Sequence, residues 1–135
     1  MLDEPTTALD TEARHAVWDA IRAHARGGGT ILLTTHNLEE ADALAGRVIL
    51  LERGAVVADG ATAAIKAAAG LTCVRFRMAG NALVRDARRV GDYVELFVPD
   101  GGEAVAELVR SGVRLDDLEV RALSLEEAIA VRGAR

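Results

Sequence analysis

The sequence predicts an α/β chain: the second half of an open parallel layer, followed by a small α+β appendix. Three observations predict it. Helix-spaced alanines alternate with two apolar runs, ILLTTH and RVILLE, through residue 70, as helices and parallel strands alternate in a layered fold. After Leu71 the pattern changes to single-residue alternation in TCVRFRM, the mark of a strand wet on one face. The chain also opens on MLDEPTTALD, where an apolar stub runs straight into two acids and a proline, as at the end of a strand.

Taken in order, Met1-Leu2 is the tail of that strand. Asp10 is placed to cap a helix from Thr11 to Arg26, with Glu12 in its first turn. Ala13, Ala16, Val17, Ala20, Ile21 and Ala25 recur at helical spacing and form the expected packing stripe, with Trp18 at its edge. Gly27-Gly28-Gly29 ends the helix. Thr30 to His36 is expected to be a strand buried on both faces. Asn37 caps a short helix that Gly46 stops, and Arg47 to Glu52 is a second buried strand. Arg53-Gly54 is a tight turn, and Ala55 to Ala58 pairs back as a hairpin. Gly60 precedes a helix from Thr62 to Ala69, and residues 59–71 form a linker.

In the appendix, Thr72 to Met78 sets Cys73, Arg75 and Arg77 on one face and Val74, Phe76 and Met78 on the other. A helical or turn segment spans Asn81 to Arg88. Strands are expected at Tyr93–Val98 and Val113–Arg121, and a helix at Glu103–Arg110. A last helix from Ser124 to Val131 opens with Ser124 and Glu127 spaced as a capping box. The domain division is therefore residues 1–70 and 71–135.

Composition narrows the functional classes. Half of the 135 residues are hydrophobic and 27% are charged, a globular balance. Aromatics make up only 3%, so the core is built from Ala, Val, Leu and Ile. The net charge of −5 argues against a general nucleic-acid binder, because phosphate neutralisation needs a basic face. Cys73 is the only cysteine, which excludes an intrachain disulfide and a cysteine-built zinc site and fits a reducing compartment. No apolar run approaches the roughly 20 residues of a membrane helix, and no signal peptide is visible.

Asp3 and Glu4 are the first candidates for chemistry. A carboxylate at a strand end can hold Mg²⁺ directly or through water, and an adjacent one can approach a water that attacks phosphorus. A bare acidic pair also suits a solvated loop; the following Pro5-Thr6-Thr7-Ala8-Leu9-Asp10 is what favours the site. His36 stands at the carboxyl end of a strand, the ligand-facing edge of a parallel sheet, where it could donate to a γ-phosphate. Taken alone, a histidine there more often is a strand-end residue satisfied by backbone. His15 and His24 lie on the preceding helix, in solvent-facing or packing positions.

LDEPTTALD, a helix, and then ILLTTHNLEEAD resemble the ATP-binding cassette (ABC) ATPases in both motifs and in their spacing, over about residues 1–70. The resemblance implies a P-loop NTPase layer with ATP and Mg²⁺ as ligands. It implies Asp3 as the Walker B magnesium ligand, Glu4 as the catalytic carboxylate and His36 as the switch histidine. Thr7 to Asp10 would be the D-loop, usually Ser-Ala-Leu-Asp, so that Asp10 and His36 fall on the nucleotide side of the site. Gly54 and Gly60 match the hairpin that follows. GATAAIKAAAG and Leu125-Glu126-Glu127-Ala128 resemble the linker and terminal helix of drug-exporting cassettes of the daunorubicin-resistance type. Implied partners are a second nucleotide-binding domain, as a homodimer, and a transmembrane permease at the cytoplasmic face of the membrane.

The phosphate cradle G-x-x-x-x-G-K-[ST] is not in this sequence: Lys66, the only lysine, has no glycine loop before it, and Gly27-Gly28-Gly29 precedes a strand and has no lysine. The glutamine loop and signature motif are not in it either. The expectation is a C-terminal fragment of an exporter's ATPase subunit with little activity alone. The alternative is a catalytically inactive cassette that serves as a binding or regulatory module. A soluble cassette protein of translation or DNA repair fits less well, because of the residues after 71.

Overall fold

The computed structural model describes residues 1–78, 84 and 86–133. The chain divides into two compact units, Met1–Ile65 and Lys66–Arg135.

The first unit begins with β1 (Leu2–Asp3), which pairs in parallel with β2 (Leu33–Thr34), Leu2 opposite Leu33 and Asp3 opposite Thr34. Between them runs α1 (Thr11–Arg26), a crossover of the kind a parallel pair requires. Asp10 caps α1 by accepting from the Ala13 N–H at 2.8 Å. The inward face keeps one side of the expected stripe, with Ala13, Val17 and Ile21 half-buried, and turns away from the other. Trp18 is its buried residue, whereas Ala16, Ala20 and Ala25 are exposed. Alanine carries little apolar area, so one large aromatic outweighs three of them in choosing the face.

Two strands expected to be buried on both faces are not. Thr30 to His36 contains only the two-residue β2, with alternating burial and with Leu32 61% exposed. β3 (Arg47–Glu52) buries only Val48. It pairs with β4 (Ala55–Ala61) as an antiparallel hairpin around Arg53 and Gly54, both at positive φ. Each strand has one neighbour among the described residues, and full burial needs more. β4 extends past Ala58, so Gly60 lies in the strand opposite Val48. α2 (Leu38–Leu44) lies between the two pairs, and α3 (Thr62–Ala67) follows β4. Thr62 hydrogen-bonds the Ala45 carbonyl through its side chain and the Gly46 carbonyl through its N–H, which ties α3 to the end of α2.

The second unit is a four-stranded antiparallel sheet, β5 (Thr72–Arg77), β6 (Arg88–Val90), β7 (Tyr93–Val98) and β8 (Asp116–Ala122), in the order β6-β7-β5-β8. β6 had no counterpart in the sequence reading. Half of the Asn81–Arg88 segment (81–83 and 85) lies outside the described residues, and Arg88 belongs to β6. On one face, Val74, Phe76, Val94 and Leu96 pack with Leu108 of α4 (Gly101–Arg110). That helix begins two residues earlier than expected because Asp100 caps it, accepting from Glu103 N–H. Gly101 must be small: a Cβ there would lie 2.8 Å from Val120 Cγ1.

The opposite face of β5 is not simply wet. Cys73 packs with Ala69, Leu123 and Ala128, and burial pushes its thiol up to about 11, so it stays protonated and unreactive. Arg75 stacks over Tyr93 at 4.0 Å between Glu95 and Glu119, and Arg77 pairs with Asp117 at 2.9 Å. These arginines are neutralised within the sheet, so that face presents no free basic patch from them.

α5 (Leu125–Gly133) opens with the capping box, Ser124 and Glu127 exchanging backbone-to-side-chain bonds of 2.7 and 3.2 Å. Arg121 of β8 also grips Glu127 through two bonds of 2.7 and 2.8 Å. Arg121, then the Ser124 N–H, hold the Glu127 carboxyl down at about 2. A carboxyl depressed on folding stabilises the protein above its unfolded pKa, near 4.5, and loses that contribution as pH falls toward 2. Glu127→Gln is therefore expected to cost the second unit on the order of 2 kcal/mol at neutral pH, a value discounted for the partly wet Arg121. The difference from the parent should vanish near pH 2. Chemical unfolding followed by NMR through the ring signals of Tyr93, the only tyrosine, checks this within the second unit.

Candidate functional site

The parallel pairing of β1 with β2 decides which side chains meet. Leu2 N–H donates to Leu32 O and Glu4 N–H to Thr34 O, each at 2.8 Å. This register delivers Glu4 beside the residues that follow β2. Glu4 itself has φ 46, so the chain leaves the strand there through a left-handed conformation uncommon for a residue with a side chain. Two short turns follow, Thr7 N–H to Glu4 O and Leu9 N–H to Thr6 O, and Ala8 also has positive φ. Together they fold Pro5 to Leu9 back toward the end of β2.

On the other side, Asn37 N–H donates to Thr35 Oγ1, and Asn37 Oδ1 accepts from the N–H groups of Glu39 and Glu40. This cap fixes where α2 begins and with it the orientation of His36.

The result is a contact between two of the expected site residues. His36 Nδ1 lies 2.8 Å from Glu4 Oε2. Thr7 Oγ1 donates to the same oxygen at 3.1 Å. The hydrogen bond from His36, with that from Thr7, holds the Glu4 carboxyl below the ordinary carboxylate range. With Nδ1 turned to Glu4, Nε2 is left for a second partner. Threonine in place of serine at position 7 keeps the hydroxyl this geometry uses.

Glu4 and His36 line a cleft of about 170 Å³ with Thr6, Thr7, Arg14 and Asn37. Asp3 and Asp10 are not part of its wall. Asp3 accepts a hydrogen bond from the Thr34 hydroxyl across the strand pair. Asp10 is engaged at the N-terminus of α1. Among the described residues no three acidic, histidine or cysteine side chains cluster as a metal cage. An exposed strand-end carboxylate still suits Mg²⁺, which is held by one or two carboxylates and completes its shell with phosphate oxygens and water.

Sequence reasoning missed three residues here. Glu40 is fully buried; Thr6 is buried in the turn after Glu4, and Trp18 on α1. Glu40 Oε1 accepts from Thr6 Oγ1 at 2.8 Å and from Trp18 Nε1 at 3.0 Å. Glu39-Glu40 reads as an ordinary acidic first turn, and only the packing tells the exposed acid from the buried one. The signal that could have found it was the lone tryptophan, whose indole N–H needs an acceptor wherever it is buried.

No protein-family model matches the chain. It is similar to the daunorubicin/doxorubicin resistance ATP-binding protein DrrA of Streptomyces peucetius, 36% identical over 94% of this chain and 42% of that protein. The daunorubicin resistance ATP-binding protein DrrA3 of Streptomyces coeruleorubidus is 35% identical over 93% of this chain and 45% of its own length. The Nod factor export ATP-binding protein I of Paraburkholderia xenovorans is 48% identical over 48% of this chain and 21% of its own. The chain thus spans less than half the length of the relatives it matches.

Asn37→Ala is expected to destabilise the first unit by about 1 kcal/mol, the usual cost of a lost N-cap. Urea unfolding followed by Trp18 fluorescence measures it.

Proposed function

The chain belongs to the ATP-binding cassette ATPases of the drug-exporter type, and from that premise we propose that it is part of the subunit that binds and hydrolyses ATP to drive an exporter. The 2.8 Å contact between His36 and Glu4 supports this reading most directly.

In this reading Glu4 is the catalytic carboxylate. Held ionised by His36 and Thr7, it accepts hydrogen bonds only, which suits it to orient a water toward a γ-phosphorus and take up its proton. The bond from water oxygen to phosphorus forms as the bridge to the β-phosphate breaks, and ADP and phosphate leave. His36 holds Glu4 through Nδ1 and reaches the γ-phosphate through Nε2. Asp3 would hold Mg²⁺, which when bound neutralises charge on the phosphate oxygens. Thr7 to Asp10 would face a second nucleotide-binding domain, with Asp10 near the nucleotide.

The remaining partners follow the same premise: a homodimer of cassettes, and a membrane permease that confers substrate choice. No helix among the described residues is long and apolar enough to cross a membrane. The exported compound would be a drug or antibiotic, by analogy with the relatives' names.

These 135 residues include no glycine–lysine loop. Losing a whole phosphate cradle costs far more than the ~3–4 kcal/mol of a single catalytic donor. Hydrolysis is therefore expected only where a cradle is supplied, and a micromolar ATP affinity in this chain alone would overturn that expectation. In a complete ATPase carrying these residues, Glu4→Gln should lower turnover at least ~10²-fold. It should also accumulate an ATP-bound dimer on size exclusion. Unchanged turnover would reject the role of Glu4.

A further inference from the structure

We propose that Glu40 is a positioning residue, whose buried carboxylate sets the separation of Glu4 and His36 by tying together the three elements around them. The proposal rests on the reading of Glu4 and His36 as the water- and phosphate-handling pair.

The two residues of that pair follow strands whose ladder is two residues long. Glu4 is followed by a turn and His36 by a helix, and either could shift without breaking β1–β2. Glu40 closes that freedom. It stands on the first turn of α2, four residues after His36. Its Oε1 takes the hydroxyl of Thr6, two residues after Glu4, and the indole N–H of Trp18 on α1. Pro5 stiffens the link from Thr6 back to Glu4. The Asn37 cap stiffens the link from α2 back to His36. A single buried oxygen thereby governs both arms.

The chemistry of the choice supports a positioning role over plain packing. A fully buried carboxylate is costly, and an apolar side chain would fill a helix–helix contact at less expense. Glu40 Oε2 moreover has no hydrogen-bond partner among the described residues. What the carboxylate supplies and a leucine cannot is one acceptor that meets two donors from different elements at 2.8 and 3.0 Å.

The test is nitrogen-15 NMR of the 135-residue chain without nucleotide. The single tryptophan gives one indole resonance, and His36 is assigned by comparison with His36→Ala. In the parent, the Trp18 indole N–H should exchange slowly and the His36 ring should be held with its proton on Nδ1. Glu40→Leu should speed indole exchange about tenfold, the effect of one lost hydrogen bond. It should also move the His36 ring nitrogens toward those of free imidazole. Glu40→Gln, which keeps the acceptor, should preserve both signals. Thr6→Val should leave the indole protected and move the His36 ring in the same direction by less. A His36 ring unmoved in Glu40→Leu, or an indole that exchanges freely in the parent, would overturn the proposal. If Glu40→Leu does not fold, Thr6→Val decides, and an unmoved ring there overturns it. Failure here leaves the ATPase reading intact, because that reading stands or falls on turnover of Glu4→Gln.

Discussion

A parallel pairing only two residues long, Leu2-Asp3 against Leu33-Thr34, is the constraint on which the first unit depends. Parallel strands need a crossover between them, and α1 is that crossover. The proposed site residues lie at or just past the carboxyl ends of the two strands, where the backbone stops pairing and side chains can turn toward a common space. So short a ladder cannot hold such a site alone. The buried Glu40 carboxylate and the cap of Asn37 supply the remaining ties.

The unit distributes its acids by task. Glu4 is half-buried and takes two donors, His36 and Thr7, which stabilise its charge. Glu40 is fully dry and takes two donors on one oxygen. Asp10 and Asn37 are spent on helix N-termini, where unpaired N–H groups favour an oxygen acceptor. Asp3 stays exposed, satisfied across the strand pair by Thr34. Four carboxylates within forty residues thus face four environments, and residue type alone does not distinguish them.

The second unit solves a different problem. With few aromatics, its sheet gets a dry core on one face and an ionic ladder on the other, where Arg75 and Arg77 meet Glu95, Glu119 and Asp117 across strands. Arg121 joins that ladder to the last helix through Glu127. The capping box was legible as Ser124 and Glu127 three apart. The arginine that completes it was not, because strand pairing brings it there from outside the helix.

Local signals in the sequence determined the helix caps at Asp10, Asn37 and Ser124, the turn at Arg53-Gly54 and the central strands of the second unit, and singled out Asp3, Glu4 and His36 as candidates. Each depends on neighbours a few positions away, so residue type and spacing suffice. Tertiary structure decided the rest. It decided that α1 centres its inward face on Trp18 and leaves Ala16, Ala20 and Ala25 exposed, and that Leu32 and most of β3 lie exposed. It decided that Glu40 and not Glu39 is buried. These outcomes depend on which elements stand next to which, over separations of 22 and 34 residues for the Glu40 contacts. So does the meeting of Glu4 with His36: the motif names both residues, but the strand register sets them 2.8 Å apart.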